Sequence, residues 1–117
     1  MKNISSKKKI ELIRNAALAK KARDIALLDL RKLPAISDYF ILASGESSTQ
    51  IETIAGNIEK ELALNGFKVW HREGTGEARW ILLDYGDIVV HVFHKETRDF
   101  YGLDRLWHDS PRRKLKK

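Results

Sequence analysis

Two apolar runs of strand length in the first half of the chain constrain its fold more than any other feature. They are DIALLDL, from Asp24 to Leu30, and DYFILAS, from Asp38 to Ser44. Pro34 lies between them and rules out one continuous helix. Neither run alternates apolar with polar residues, which is typical of strands that are covered on both faces. The sequence therefore predicts a sheet with helices packed above and below it.

Three helices are predicted around these strands. Apolar residues recur at helical spacing from Lys8 to Ala22. A second helix is expected after Ser47, because Ser47 and Gln50 have the three-residue spacing of a capping box. Asn65-Gly66 suits the left-handed end of that helix, and a third, amphipathic helix is predicted to begin near Lys95.

Three further strands are predicted between the second and third helices. They cover residues 67–71, 79–84 and 87–93. The glycine-bearing loop REGTGEA joins the first two, and a tight turn at Tyr85-Gly86 joins the last two, where glycine allows a positive φ. The element order α-β-β-α-β-β-β-α predicts a single α/β (α+β) domain, with a mixed five-stranded sheet flanked by helices.

Length and composition exclude several classes of protein. A chain of 117 residues fits one domain. It contains no apolar run near the ~18 residues that a membrane-spanning helix needs, and its first ten residues, MKNISSKKKI, lack the apolar segment of a secretory signal. The absence of cysteine excludes disulfides and thiolate chemistry. We therefore expect a cytoplasmic protein.

The net charge of +6 hides a division of the chain into three parts. Residues 1–23 carry a net charge of +7, residues 24–109 carry −6 and residues 110–117 carry +5. We predict a folded domain at residues 8–109 between basic tails at residues 1–7 and 110–117. Basic tails favour phosphate backbones such as that of rRNA, whereas an acidic body suits a basic protein partner. Tails that serve solubility alone explain the charge equally well.

One histidine pair raises the question of a metal site. His91 and His94 lie three residues apart, with Glu96, Asp84 and Asp87 nearby. The β-branched run DIVVHVF predicts a strand, in which side chains three residues apart point to opposite sides of the sheet. The two imidazoles would then not converge on one ion, so the sequence disfavours a metal site. His91 is instead interpreted as a half-buried structural residue.

Two glycine-containing segments are candidates for phosphate binding. SGESS precedes a predicted helix, whose N-terminal N–H groups can bind a phosphate, but Glu46 places a negative charge there. The carboxylates that follow, Asp84 and Asp87, have the wrong spacing for the metal-binding pair of a nucleotidyl transferase. GTGEA opens no helix and is interpreted as a hairpin loop. Since no spacing indicates a catalytic nucleophile either, we expect no enzymatic activity, no cofactor and no metal.

The last third of the chain combines aromatic with acidic residues. Its aromatic residues include Trp80, Tyr85, Phe100, Tyr101 and Trp107. Tyr85 is predicted at the tip of a turn, and Tyr101 and Trp107 lie six residues apart on a short helix, where one face cannot bury both. This combination is typical of a protein-binding surface, and core packing is the alternative explanation of the rings.

The longest motifs resemble one family. DYFILASGESSTQ and ARWILLDYGDIVVHVFHKETRDFYGLDRLW, in this order, resemble the Iojap-related ribosomal silencing factor family over roughly residues 24–107. The unit from Trp80 to His91, which contains YGD and VVH, resembles the most characteristic segment of the family, and ETRDFYGLDRLW resembles its closing helix. Both basic ends lie outside this resemblance.

The resemblance implies a fold and a function. Members of the family have a small α/β fold related to nucleotidyl transferases, and their role is not enzymatic. They bind the large ribosomal subunit through its protein number fourteen, sterically block joining with the small subunit and lower translation when nutrients are scarce. Several members form homodimers when free. In such a complex the basic tails would contact neighbouring rRNA backbone.

The resemblance also implies a set of partner-binding residues. The predicted contacts are Trp80, Tyr85, Tyr101, Asp84, Asp87 and Trp107. The first three match positions of the family's interaction surface, and the last three are added because of charge and proximity. Two alternatives remain open on the sequence alone: a nucleotide-binding or nucleotidyl-transferring enzyme, and an RNA-binding module that uses its basic ends.

Overall fold

The computed structural model of the protein describes residues 2–32, 37–74, 77, 79–101 and 112–114. These residues form α1 (Lys2–Ala19), β1 (Arg23–Asp29), β2 (Tyr39–Gly45), α2 (Ser48–Leu64), β3 (His71–Glu73), β4 (Trp80–Asp84), β5 (Ile88–His94), α3 (Lys95–Tyr101) and β6 (Arg112–Lys114). The predicted order of elements is confirmed, with β6 added near the C-terminal end. None of the described helices is both long and apolar enough to cross a membrane.

The described strands form one mixed sheet in the order β3-β4-β5-β2-β1-β6. β2 and β5 are parallel, and all other neighbouring pairs are antiparallel. The predicted mixed sheet of five strands is therefore confirmed. β6 extends it by pairing with β1, where Lys114 lies opposite Ala26. This sixth strand lies in the segment that we predicted as a basic C-terminal tail.

The two faces of the sheet are covered differently. α1 and α2 pack on one face and enclose the larger core with side chains of β1, β2, β4 and β5. Ile54, Ile58 and Leu62 of α2 are completely buried there, and burial of each such side chain contributes about 1.5–3 kcal/mol. The opposite face holds a smaller cluster, in which Phe93 is fully buried and Trp80 is only partly buried.

The first helix begins and ends earlier than predicted. We predicted residues 8–22, whereas α1 spans Lys2–Ala19. The hydroxyl of Ser6, a buried residue, donates to the carboxylate of Asp87, and Lys9 forms an ion pair with the same carboxylate at 2.8 Å. These contacts attach the start of the helix to the turn between β4 and β5. Residues that we predicted as an N-terminal tail are helical because this attachment orders them.

The predicted caps of α2 are confirmed at both ends. The Ser47 hydroxyl accepts a hydrogen bond from the backbone N–H of Gln50 at 3.0 Å, and Gln50 Oε1 accepts one from the N–H of Glu46 at 2.7 Å. At the other end Asn65 is the cap residue, and Gly66 follows with φ +86°. Glycine adopts this left-handed conformation without strain, so the helix ends there.

The strand predicted at residues 67–71 is displaced along the chain. β3 (His71–Glu73) begins where that prediction ends. Phe67 and Val69 pack against the larger core from the connection that follows α2, so their alternation reflects the packing of a loop. β3 itself is short and has only polar or charged side chains, which discourages an edge strand from pairing with other chains.

The predicted hairpin between β4 and β5 is confirmed. The N–H of Tyr85 donates to the carbonyl of Ile88 at 2.8 Å, and Gly86 has φ +89°. The ring of Trp70 lies against this turn, because a Cβ at position 86 would come within 2.8 Å of it. The positive φ favours glycine here, and the absence of a Cβ lets the exposed indole lie close to the turn.

Candidate protein-binding face

Side chains at alternate positions of β2, β4 and β5 share the sheet face opposite α1 and α2, because strand side chains alternate with period two. We define the aromatic face by the side chains of Phe40, Trp80, Leu82, Asp84, Val89, His91 and Phe93. The strand register brings these residues together as the neighbours Trp80–Phe93, Leu82–His91, Asp84–Val89 and Phe40–Val89. The face therefore depends on the β4–β5 hairpin and on β2, which is distant from the hairpin in sequence.

Four rings form the centre of the aromatic face. The rings of Phe40 and His91 have centroids 4.7 Å apart, and Trp80 meets Phe93 edge-on with centroids 5.0 Å apart. Trp80 Nε1 donates a hydrogen bond to His91 Nδ1 at 3.2 Å. Phe93 and His91 are buried beneath, whereas Phe40 and Trp80 are half-buried. The cluster thus holds Phe40 and Trp80 in fixed positions with part of each ring accessible.

His91 supports this cluster from below. It is only 5% exposed, and burial lowers the pKa of its imidazole to about 4. The ring is therefore neutral at pH 7, which lets Nδ1 accept the hydrogen bond from the indole of Trp80. This environment agrees with the interpretation of His91 as a structural residue.

Leu82 and Asp84 continue the aromatic face along β4 toward the hairpin turn. Both side chains are half-buried, like that of Trp80 at the other end of the strand. Asp84 Oδ1 accepts a hydrogen bond from the N–H of Gly86 at 2.7 Å, which holds the turn. The exposed Glu73 lies opposite Leu82 on β3. This part of the face is therefore apolar at its centre and acidic at its rim.

Tyr85 lies on the other side of the sheet. It is 2% exposed and belongs to the larger core under α1 and α2. Burial also raises the pKa of its hydroxyl. Our expectation of an accessible ring at a turn tip is wrong, because Tyr85 directly follows Asp84 and points to the opposite, covered face.

Asp87 is engaged within the chain. Its side chain is 9% exposed and accepts hydrogen bonds from Ser6 and Lys9. Burial alone would raise the pKa of this carboxyl, but the hydrogen bonds from Lys9 and Ser6 and the charge of Lys9 together lower it. Asp84 and Asp87 therefore have separate structural roles. Within the part of the chain that the structure describes, no group of three or more His, Asp or Glu side chains is placed to hold a metal.

The two remaining predicted contacts fall at the limit of the described chain. Tyr101 is the last residue of α3, and its side chain is outside the described part, as is the whole of Trp107. α3 itself is anchored by Arg98, which is 6% exposed and donates to the carbonyl of Asp24 at 2.7 Å and to Ser44 Oγ at 2.8 Å. Contacts through Tyr101 and Trp107 stay predictions.

The structure adds three residues that sequence reasoning missed. Leu82 follows from the alternation of Trp80, Leu82 and Asp84 along one strand, a signal that was available. Phe40 joins the face only through the parallel pairing of β2 with β5, which no local pattern reveals. Trp70 is 77% exposed beside the hairpin turn, although its apolar surroundings in sequence suggested a strand.

The fold defines a class of protein, a small α/β domain with α1 and α2 on one face of a mixed sheet and the aromatic face on the other, where Trp80, Leu82 and Asp84 are half-buried. A sequence profile of the family described as "Ribosomal silencing factor during starvation" matches residues 3–117. The chain belongs to this family. The match includes both basic ends, whereas the resemblance drawn from the motifs stopped at Trp107.

Individual relatives agree with this assignment. The chain is 46% identical over 92 residues to a Bacillus subtilis protein named "Ribosomal silencing factor RsfS", covering 79% of this chain and 78% of the relative. A crystal structure of a Chromobacterium violaceum protein superposes with a TM-score of 0.82 at 31% identity, covering 95% of this chain and 88% of that one. A more distant mouse relative, "Mitochondrial assembly of ribosomal large subunit protein 1", is 27% identical over 108 residues, which are 90% of this chain and 47% of the relative.

Proposed function

We propose that this chain is a translation repressor that binds the large ribosomal subunit in the cytoplasm and sterically prevents the small subunit from joining. Its family membership and the name of the Bacillus subtilis relative support a silencing role at the ribosome. The name of the mouse relative supports an association with the large subunit. The role that we propose is a binding role without catalysis, used when nutrients are limiting.

The observation that carries the proposal is the half-buried row of Trp80, Leu82 and Asp84 on the aromatic face. Side chains that are already held in place lose little conformational entropy on binding, and tryptophan is among the residues enriched at energetic hot spots. The carboxylates of Asp84 and Glu73 at the rim suit a basic protein, for which we propose protein number fourteen of the large subunit.

The size of the domain is compatible with a steric mechanism. A specific interface of usual size covers about 800 Å² on each partner. This is roughly a tenth of the accessible surface of the chain, which is 7179 Å². A docking interface of this size would leave most of the domain surface outside it, so the domain would project from the subunit surface as an obstacle to the small subunit.

Leu82→Lys tests the proposed face. The substitution replaces an apolar contact with a cation that would repel a basic partner. We therefore expect at least about tenfold weaker binding, equivalent to about 1.4 kcal/mol. Co-sedimentation of the protein with isolated large subunits measures this affinity. Leu64→Lys is the matched control, since Leu64 is 72% exposed on α2, away from the aromatic face.

Comparison of the two variants distinguishes a loss of contact at the aromatic face from the general effect of one added positive charge. We expect Leu64→Lys to bind like the unsubstituted chain. Equal affinity of both variants, with both folded by circular dichroism, would contradict docking through the aromatic face.

The homodimer implied by the resemblance stays a prediction. β3 is an unfavourable edge for strand pairing, because its three residues are polar or charged. If two free chains associate, we propose that the aromatic face is the shared surface, so that the dimer and the ribosome complex exclude one another.

A further inference from the structure

A set of cations without ionic partners lies along α1. Lys7 and Lys8 are exposed near the start of the helix, and Lys20 and Lys21 are exposed in the turn that follows its end. Among the residues that the structure describes, none of these four ammonium groups forms an ion pair. Lys9 differs, because its charge is neutralised by Asp87 at 2.8 Å.

The stability of the helix does not explain the first lysine pair. The N-terminal end of a helix favours anions, yet the first turn of α1 contains no acidic residue. Glu11 is the only acidic residue in the sequence of the helix. Arg14 lies seven residues after Lys7, two turns further along the same side and about 10 Å away along the axis. The cationic character therefore continues along the helix toward Lys20 and Lys21.

The second lysine pair has a fixed position relative to the sheet. Gln50 Nε2 donates hydrogen bonds to the carbonyls of Lys20 and Lys21, both at 3.1 Å. β1 begins two residues later at Arg23. The backbone of β6 runs antiparallel to β1, from Arg112 opposite Leu28 to Lys114 opposite Ala26, and thus toward this same turn. β6 therefore runs toward the end of the sheet that holds Lys20 and Lys21. Lys7 and Lys8 lie near the opposite end, where the start of α1 contacts Asp87, so the exposed lysines extend along the length of α1.

We propose that this basic surface, defined by Lys7, Lys8, Lys20 and Lys21, binds the phosphate backbone of RNA. Lysine ammonium groups on flexible stems contact phosphates as point charges and do not read bases, so binding should be independent of sequence and sensitive to salt. The identity of the RNA as ribosomal RNA of the large subunit rests on the function proposed above. The capacity to bind RNA rests on the basic surface alone.

The basic surface and the aromatic face can be occupied together. α1 packs on the sheet face opposite the aromatic face, so the sheet separates the two surfaces. Sites this far apart without shared side chains contribute nearly independently to the free energy of binding. The domain is therefore able to contact a basic protein with one side and an RNA backbone with the other.

The test compares two variants with the same change in net charge. One replaces Lys7, Lys8, Lys20 and Lys21 with Gln. The control replaces the four exposed lysines of the acidic body with Gln; these are Lys32, Lys60, Lys68 and Lys95. Fluorescence anisotropy with a single-stranded RNA of mixed sequence gives the affinity of each protein over a range of salt concentrations.

We expect the α1 variant to reduce the slope of log affinity against log salt by about 3, because each phosphate contact on single-stranded RNA contributes roughly 0.7. The control variant should keep the slope of the unsubstituted chain. The α1 variant should also bind large subunits more weakly at low salt, with a smaller dependence on salt. Leu82→Lys should keep its RNA affinity, which distinguishes the RNA surface from the docking face.

Three results would overturn the proposal. The unsubstituted chain could fail to bind RNA even at about 50 mM salt, where phosphate contacts are strong. The two variants could lose RNA affinity equally, which would indicate net charge and no defined surface. The α1 variant could lose RNA binding but keep its affinity for large subunits, which would contradict the assignment to ribosomal RNA. A failure of Leu82→Lys to weaken subunit binding would instead contradict the proposed function.

Discussion

Trp80 and Tyr85 lie in the same hairpin but on opposite faces of the sheet. Trp80 is half-buried and held by a hydrogen bond to His91, whereas Tyr85 is 2% exposed under the helices. Residue type made both rings candidates for partner contacts, and strand alternation separates them. Asp84 and Asp87 differ in the same way, because Asp87 is bound to Ser6 and Lys9. For a single residue, the face of the sheet to which the side chain points decides whether a partner can contact it.

The buried His91 predicts a dependence of stability on pH. Its folded pKa of about 4 lies below the ordinary value of 6.5, so between these values the unfolded chain binds a proton that the folded chain does not. Stability should therefore be fully present above pH 6.5 and fall by about 3 kcal/mol as the pH decreases to 4. His91→Phe should remove this part of the acid sensitivity.

Urea unfolding at pH 4, 5, 6 and 7 measures the effect. His91→Phe removes the acceptor for Trp80 and should be less stable than the unsubstituted chain at pH 7, but its stability should change less toward pH 4. His71→Gln, at an exposed position, is the control. Parallel curves for His91→Phe and the unsubstituted chain would show that His91 does not cause the acid sensitivity.

The elements of the fold follow from the sequence where one strand or helix carries its own signal. β1, β2, β4 and β5 begin and end within one residue of the apolar runs, because buried strands consist of such runs. β3 and β6 contain only polar or charged residues and exist through pairing with β4 and β1. β6 pairs with a strand that is distant in sequence, and neither edge strand has an apolar run or an alternating pattern of its own, so local patterns could not reveal them.

Local sequence patterns could predict only the part of the aromatic face that lies on a single strand. Trp80 and Asp84 belong to one strand, and period-two alternation places them together. Phe40 comes from β2, 40 residues before Trp80, and joins the face only through the parallel register of β2 with β5. The ring of Trp70 lies against the turn at Gly86. The sequence predicted this turn but did not indicate that Trp70 packs on it.

Connections between elements depend on a few polar side chains. Arg72 of β3 joins the sheet edge to α2 by donating to Glu52 and, at 2.5 Å, to Glu59. Gln50 joins the start of α2 to the end of α1, through Lys20 and Lys21, and to Glu46. Arg72 and Gln50 therefore fix the positions of the helices relative to the sheet and to each other.

Gln50→Ala should destabilise the domain by about 1.5–2 kcal/mol, because it removes three exposed hydrogen bonds, each at the lower end of the usual contribution of about 0.5–1.5 kcal/mol. Thr49→Ala is the control, at an exposed neighbouring position on the same helix turn. The midpoint of urea unfolding at neutral pH reports the difference. An equal effect of the two substitutions would show that Gln50 does not connect α1 with α2.

At the scale of the whole molecule, the fold separates two kinds of surface. The aromatic face has an acidic rim and lies opposite the helical layer, which carries the exposed lysines of α1. The acidic body and basic ends seen in the sequence are therefore not simply a domain with two tails. α1 and β6 are parts of the fold, and the profile of the silencing factor family spans both.

The most direct test of the account is the formation of whole ribosomes from isolated subunits, followed by light scattering. The unsubstituted chain should inhibit joining in proportion to its occupancy of the large subunit, and prior incubation with that subunit should increase inhibition. Leu82→Lys should inhibit about tenfold less effectively, in line with its weaker binding, while Leu64→Lys inhibits fully. Unchanged joining at concentrations that saturate the large subunit would contradict steric repression.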